Sequence, residues 1–432
     1  MPRHYKNPDY GKARAGDSVR GMKTDQGRAL MFIRTRELHS KMLSQAAAGI
    51  AMAGALAVAA ALAPAKAQET VKIGLILPMT GGQASTGKQI DNAIKLYMQQ
   101  HGDTVAGKKI EVILRDDATL PDNTKRFAQE LIVNDKVNII AGFGVTPAAL
   151  AAAPLATQGK IPEIVMAAGT SIITERSPYI VRTSFTLAQS STIIADWAVK
   201  NGIKKVATLT SDYAPGNDAL NFFKEHFVAG GGEIVEEVKV PLANPDFAPF
   251  LQRMKDAKPD AMFVFVPAGQ GGNFMKQYAE RGLDKSGIRV IGPGDVTDDD
   301  LLNNMGDAVL GTVTAHIYSV AHPSAMNKEF VAAYKKAFGS RPGFMAVGGY
   351  DGIHLIYEAL KKTGGKTDGD ALVEAMKGMK WESPRGPISI DPETRDIVQN
   401  VYIRKVEKVD GELYNVEFAT FEAVKDSGKT KK

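Results

Sequence analysis

No cysteine occurs anywhere in the 432 residues, which excludes a disulfide framework and thiolate chemistry. Histidine is also scarce. Of seven, five follow residue 67 (His101, His226, His316, His322 and His354). Their spacing matches no metal-ligand pattern, so zinc is not expected. No G-x-S-x-G elbow occurs and no Ser, His and Asp set is convincingly placed. The chain is therefore expected not to be an enzyme and to need no cofactor or metal; an exported hydrolase stays as a remote alternative. Past residue 67 there is no apolar run long enough to cross a bilayer. A net charge of one sign is missing too, once the N-terminus is set aside. Residues 1–67 hold 11 of the 53 Lys and Arg but 4 of the 48 Asp and Glu, which leaves 42 against 44. A near-neutral remainder gives no reason to expect nucleic acid or an anionic membrane as a partner.

What is present begins with that N-terminus. Residues 46–63 are almost unbroken Ala, Gly, Leu, Ile, Val and Met, ended by Pro64 and followed by Ala65-Lys66-Ala67. An apolar core, a helix breaker and a small-x-small site form a secretory signal. Arg34, Arg36 and Lys41 supply its basic region. A transmembrane anchor is the competing reading, disfavoured by the weak hydrophobicity of the run. The polar stretch before it suggests that Met31 is the true start. The mature protein is expected to begin at Gln68, in the periplasm.

The remaining 365 or so residues alternate short β-branched runs with amphipathic stretches. Strands are expected at 71–77, 109–115, 137–141, 163–166 and 179–182, with helices at 88–100, 123–134 and 147–158 between them. A second series follows: helices at 187–200, 216–229, 247–256 and 272–281, and strands at 205–210, 233–239, 261–266 and 289–291. Such alternation with short connections means a parallel sheet covered on both faces, and two series mean two similar α/β lobes. The C-terminal part reads differently. Helices at 326–338, 345–361 and 370–379 precede two strand-like runs, 400–409 and 413–421, around Asp410-Gly411, a hairpin signal. Residues 422–432 form a polar tail, expected to be disordered from 425 on.

Three constellations call for weighing. GQASTGK (82–88) follows a strand and opens a helix, as a phosphate loop would, but Gln89 stands where a magnesium-binding hydroxyl belongs. A strand-to-helix turn is the simpler reading, and it is compatible with lining a cleft. Thr297 followed by Asp298, Asp299 and Asp300 fits a cap and acidic first turn of a helix at 299–305 better than a metal site. Thr146 precedes the helix at 147–158, and Thr170 with Ser171 follows the strand at 163–166. Both threonines lie beyond the C-terminal ends of parallel strands, where open α/β sheets bind ligands. There a hydroxyl and free helix N–H groups hold a carboxylate, although plain capping would also use a Thr at 146.

IGLILPMTG (73–81), Gly87, Asp116-Asp117, IAG (140–142), PEIVMAAGT (162–170), SDYAPG (211–216), IGP (291–293) and GYD (349–351) together resemble the leucine/isoleucine/valine-binding protein family, type I periplasmic binding proteins of ABC transporters. The resemblance covers about residues 70–421. It implies an α/β fold of two doubly wound parallel-sheet lobes joined by three hinge crossings, near residues 182–185, 316–319 and 386–390. Lobe one would be 68–183 and 320–387; lobe two would be 184–319 and 388–421. It implies a monomer that closes on a small carboxylate, most simply a branched-chain or other hydrophobic amino acid, and then docks on a membrane permease. Thr146 and Thr170 would hold the carboxylate with help from the Ala168 backbone, flanked by Val145 and Gly169. Thr86 would line the first cleft loop, and Phe344 or Met345 the side-chain pocket. Tyr213, Ala268 and Gln270 fall in matching loops of lobe two. One departure stands out. Amino-acid binders of the family carry an acid after Gly-Pro; here Gly294 stands there and Asp295 follows. If Asp295 does not serve, the ligand lacks an amino group, and an aromatic or other hydrophobic carboxylate is implied. A ligand-sensing receptor module would share the fold.

Overall fold

The computed structural model describes residues 69–429; the proposed signal segment lies outside them. Two sheets carry the fold. The first contains β1 (Thr70–Leu77), β2 (Thr104–Val105), β3 (Lys108–Asp116), β4 (Ile139–Gly142), β5 (Glu163–Val165) and β6 (Ile180–Arg182), in the spatial order β2-β3-β1-β4-β5-β6. All its pairings are parallel except β2 with β3. The second holds β7 (Lys205–Ser211), β8 (Glu233–Val240), β9 (Ala261–Phe265), β10 (Arg289–Pro293) and β11 (Val313–His316). These are ordered β11-β10-β9-β7-β8 and paired in parallel. Antiparallel strands β12 (Lys380–Ser383), β13 (Gly386–Ile390), β14 (Ile397–Val409) and β15 (Glu412–Val424) extend it beyond β11.

The sequence explains the parallel strands. IGLIL in β1 and AMFVF in β9 are continuous apolar runs buried throughout, the signature of strands covered on both faces. The covering helices of the first series are α1 (Ala84–His101), α2 (Pro121–Val133) and α3 (Thr146–Gly159). The second series has α4 (Leu187–Lys200), α5 (Ala214–Ala229), α6 (Ala248–Asp256) and α7 (Gly271–Glu280). After β11 come α8 (Ala325–Phe338), α9 (Phe344–Lys362) and α10 (Gly369–Met376). Helix α9 packs on α1 at Gly349, where an added Cβ would sit 2.9 Å from the Ile90 carbonyl oxygen. Among the described residues no helix is long and apolar enough to span a membrane.

Three expectations fail locally. Residues 299–305 form no α-helix, and Thr297 caps nothing; the segment is a run of short 3₁₀ turns, Gly294–Thr297 and Leu302–Asn304. Its acids reach across the fold instead. Asp299 accepts from Asn415 Nδ2 at 2.9 Å and from the Val320 N–H at 3.2 Å, and Asp300 accepts from Ser85 Oγ at 2.5 Å. Thr146 is no cap either: the helix begins at Thr146 after an extended Val145. Finally, residues 425–429 are held rather than disordered. Asp426 accepts from Ser171 Oγ at 2.8 Å, and Lys429 Nζ lies 2.7 Å from Asp396. The buried Asp396 carboxylate already faces Arg182 and draws a second cation to it.

Candidate functional site

In each sheet one strand has later strands growing away on both sides. In the first this is β1, flanked by β3 and β4; in the second it is β7, flanked by β8 and β9. Connections leave such a point toward opposite faces, which opens a crevice at the strands' carboxyl ends. The loops that end there are those after β1, β4, β7 and β9.

Those loops meet. A narrow cavity of about 20 Å³ lies between them. Gln83 comes from the loop after β1, Gly144 to Thr146 from the loop after β4, and Ala167 to Gly169 from the loop after β5. Facing them are Tyr213 and Pro215 after β7, Phe265, Pro267 and Ala268 at the end of β9, and Asp295 after β10. Phe185 and Leu187, where the chain leaves the first sheet, and Met345 on α9 complete the wall. A second, more open groove on the outer flank of α6 and α7 is lined by Asp246, Gln252, Lys276 and Glu280. It sits on a charged helix flank rather than at strand ends.

Of the residues singled out in the sequence, Val145, Thr146, Ala168, Gly169, Tyr213, Ala268, Asp295 and Met345 line the cavity. Four stand behind it. Thr170 is 4 % exposed, and its Oγ1 lies 2.7 Å from Thr146 Oγ1. Thr86 is inside α1, 3.5 Å from the Gln83 amide oxygen, so Gln83 takes its place in the wall. Phe344 packs edge-on against Phe185 and His316. Gln270 turns its amide to the Leu242 carbonyl at 2.8 Å. The Ala168 backbone is also committed: its N–H donates to the Phe143 carbonyl, and its carbonyl accepts from Arg182 Nη1 and Ser184 Oγ. Both backbone groups of Ala168 are thus already hydrogen-bonded within the protein. Gln83, Phe185, Leu187 and Phe265 were not singled out. Phe265 is detectable afterwards as the last residue of a buried strand.

The polar chemistry of the wall divides by sheet. On the first side two threonine hydroxyls share one hydrogen bond, which spends one of their two protons and leaves the other for an anion. The wall is held by Arg182. Its guanidinium is fully buried, ion-paired to Asp396 at 2.8 Å, and it donates to the carbonyls of Ala168 (3.1 Å), Phe185 (3.3 Å) and Thr170 (2.9 Å). On the second side Gly294 lies against the Arg404 guanidinium and the His316 ring: a Cβ there would be 2.1 Å from Arg404 Nη2. His316 is completely buried with neither ring nitrogen hydrogen-bonded, and burial holds its pKa well below the usual value. Asp295 is 3 % exposed, and its Oδ2 has no hydrogen-bond partner. Burial raises its pKa to about 7, against smaller lowerings from a hydrogen bond with its own backbone and from Arg404. Among the described residues no group of three or more His, Cys, Asp or Glu is placed to hold a metal.

The raised pKa of Asp295 has a consequence for stability. The folded state holds this proton more tightly than the unfolded chain does, so stability should fall as pH rises from about 4 to about 7. Asp295→Asn removes this contribution. Between pH 5 and pH 8, its stability relative to the native protein should rise by about 1–3 kcal/mol, as one pKa unit is about 1.4 kcal/mol. Urea unfolding at both pH values measures this; an unchanged gap would mean that Asp295 titrates normally.

A family model described as periplasmic binding protein matches residues 70–412. The Leu/Ile/Val-binding protein homolog 6 of Brucella abortus (strain 2308) is 46% identical over 379 residues, which is 87% of this chain and 97% of that protein. Among solved structures, the solute-binding protein of an ABC transporter from Rhodopseudomonas palustris BisB5, in complex with 3,4-dihydroxybenzoic acid, is 88% identical. It superposes with a TM-score of 0.83 over 84% of this chain and 99% of that one. Its counterpart from Rhodopseudomonas palustris HaA2, in complex with p-hydroxybenzoic acid, is 46% identical, with a TM-score of 0.81 over 83% of this chain and 99% of that one. With two doubly wound sheets, a cleft where their switch-point loops meet and a model match across nearly the whole described chain, this protein belongs to the periplasmic binding protein family, in its leucine/isoleucine/valine-binding branch, and is a solute-binding protein.

Proposed function

We propose that this protein works in the periplasm as the solute-binding component of an ABC transporter, and that its ligand is an aromatic carboxylate. The observation that carries the ligand class is the composition of the cleft. A hydroxyl pair suited to one carboxylate faces a wall of Phe185, Leu187, Tyr213, Phe265 and Met345. Where amino-acid binders carry an acid stands Gly294, backed by Arg404 and His316. The aromatic acids bound by two similar proteins support the same class. Mechanism follows from the two-sided wall. Ligand bound to the first lobe gains contacts with the second only on closure, so it shifts the open–closed equilibrium by its differential affinity. The closed form docks on a permease, after a signal ending at Ala67 has been removed. Its work is binding, without turnover.

A second reading, a hydrophobic amino acid, draws on Asp295 and on the named Brucella relative. Its weakness is electrostatic: near neutral pH the Asp295 carboxyl is only part-ionised, so an ammonium would first have to displace its proton. A thermal-shift panel separates the two. 4-Hydroxybenzoate and benzoate should raise the melting point, by the equivalent of about 2.7 kcal/mol at a hundred times Kd. Leucine should not. Stabilisation by leucine with no response to the aromatic acids overturns this ligand class.

Thr146→Val tests the anion end. A hydrogen bond to a charged group contributes about 1.5–3 kcal/mol, so affinity should fall roughly 10- to 100-fold. The fold should lose only about 1 kcal/mol, for the Thr170 hydroxyl left without its partner. Calorimetric titration with benzoate reads the first and urea unfolding the second. Unaltered affinity removes Thr146 from the site.

A further inference from the structure

Asp295 is the unusual group in the cleft. It is a carboxyl 3 % exposed, lining the cavity, with an oxygen that no protein group satisfies. Such an atom costs free energy unless something in the site pairs with it. Position narrows what that something is. Asp295 follows β10 of the second sheet, whereas Thr146 follows β4 of the first, so the two belong to opposite walls. A rigid aromatic acid with its carboxylate at Thr146 turns its far end toward the second wall. There the apolar ring edge is a poor match for a carboxyl oxygen, but a hydroxyl on the ring is a donor and matches an acceptor.

We propose that Asp295 reads a ring hydroxyl of the ligand, accepting its hydrogen bond at Oδ2 from the wall opposite Thr146, and so selects hydroxylated over unsubstituted aromatic carboxylates. This rests on the aromatic-carboxylate reading given above. The charge state of Asp295 sharpens the selection. The groups around it are Arg404, His316 behind Gly294, Tyr213 and Asp298. His316 is kept neutral by burial, and burial keeps Tyr213 protonated. Asp298, driven upward by burial and by neighbouring acids, adds no opposing cation. Arg404 is the one cation among these neighbours, and it does not offset the cost of burial. A ligand without a hydroxyl therefore closes best over a protonated Asp295, and its binding should weaken as pH rises through about 7. A hydroxylated ligand donates to the ionised form and is held at both pH values.

The test is calorimetric titration of the native protein, Asp295→Ala and Asp295→Asn with benzoate and 4-hydroxybenzoate at pH 6 and pH 8. The quantity read is the ratio of the two dissociation constants within each protein, which cancels general damage to the site. In the native protein the ratio should favour 4-hydroxybenzoate by about tenfold or more at pH 8, the scale of one charge-assisted hydrogen bond, and should shrink at pH 6. In Asp295→Ala it should fall to about twofold or less. Asp295→Asn, which keeps the shape of the side chain if the alanine variant unfolds, should give an intermediate ratio without pH dependence. A native-like, pH-dependent ratio in both variants overturns the role of Asp295 while leaving the aromatic class intact. Failure of both acids to bind native protein overturns the ligand class, and this inference with it.

Discussion

Replacing Arg182 with methionine should cost about 3–5 kcal/mol of folding stability, the usual penalty for breaking one side of a buried ion pair, and should abolish measurable ligand binding. Asp396 is the reason for the first. Burial would raise its pKa, but Arg182 and Lys429 overcome that and hold it below the ordinary carboxylate range. Without the guanidinium, Asp396 keeps one ion pair, with Lys429, whose side chain is itself slightly exposed, and the weaker hydrogen bonds from Thr174 Oγ1 and the Ile397 N–H. The second follows from three carbonyls. Arg182 is the donor that ties Ala168, Thr170 and Phe185 into one wall, and each loses a hydrogen bond that water reaches poorly. Arg182→Lys should rescue little, because an ammonium cannot reproduce the planar fork that spans Asp396 and the carbonyls together. Urea unfolding with titration of 4-hydroxybenzoate checks both arms. A loss under about 1 kcal/mol, or native affinity in a folded variant, would show that the wall stands without this residue.

What the sequence made legible were the elements decided by local rules. The helix expected at 187–200 is the one found, because Thr186 and Gln189 form a reciprocal capping box at its start. The Asp410-Gly411 turn is also where it was expected, with both residues at positive φ as a tight hairpin requires. Strands β11 and β12 were not among the strands expected, and residues 386–390, which form β13, were expected only as a hinge crossing implied by the resemblance. VTAH and KWES are too short and too polar for periodicity to mark them; β11 is placed by its pairing with β10 and β14, and β12 by its pairing with β13. The acids at 298–300 misled for a similar reason. Their local pattern is that of a helix start, but their partners are Asn415, Ser85 and Gln89, each more than a hundred residues away in sequence. The candidate site divides along the same line. Loop ends after predicted strands could be listed in advance, so Thr146, Tyr213 and Asp295 were visible. Whether Thr86 or Gln83 faces the cleft depends on the rotation of one helix turn, which no local pattern sets.

Gly294→Ala should be severe for a residue that lacks a side chain. Its backbone is not in the left-handed region, so conformational freedom is not the issue; space is. The new Cβ would sit 2.1 Å from Arg404 Nη2 and 2.4 Å from the His316 ring. Neither neighbour has anywhere to go. Arg404 is 1 % exposed and donates to Thr314 Oγ1 at 3.2 Å, to the Gly294 carbonyl at 3.4 Å and to the Tyr318 carbonyl. His316 is wedged edge-on between Phe185 and Phe344. Overpacking costs about 1–3 kcal/mol, and displacing a buried guanidinium from its acceptors adds to it, so a loss of about 3 kcal/mol or more is expected. Because His316 packs directly on Phe185 of the cleft wall, aromatic ligands should lose affinity together with stability. His316→Ala makes the needed room. The double variant should therefore be less destabilised than the sum of the single variants, by about 1 kcal/mol or more, the coupling expected of residues that compete for one volume. Strict additivity in urea unfolding would place the cost of Gly294→Ala elsewhere than in this contact. That outcome would also weaken the case that a filled space, rather than a missing acid alone, separates this cleft from one built for an ammonium group.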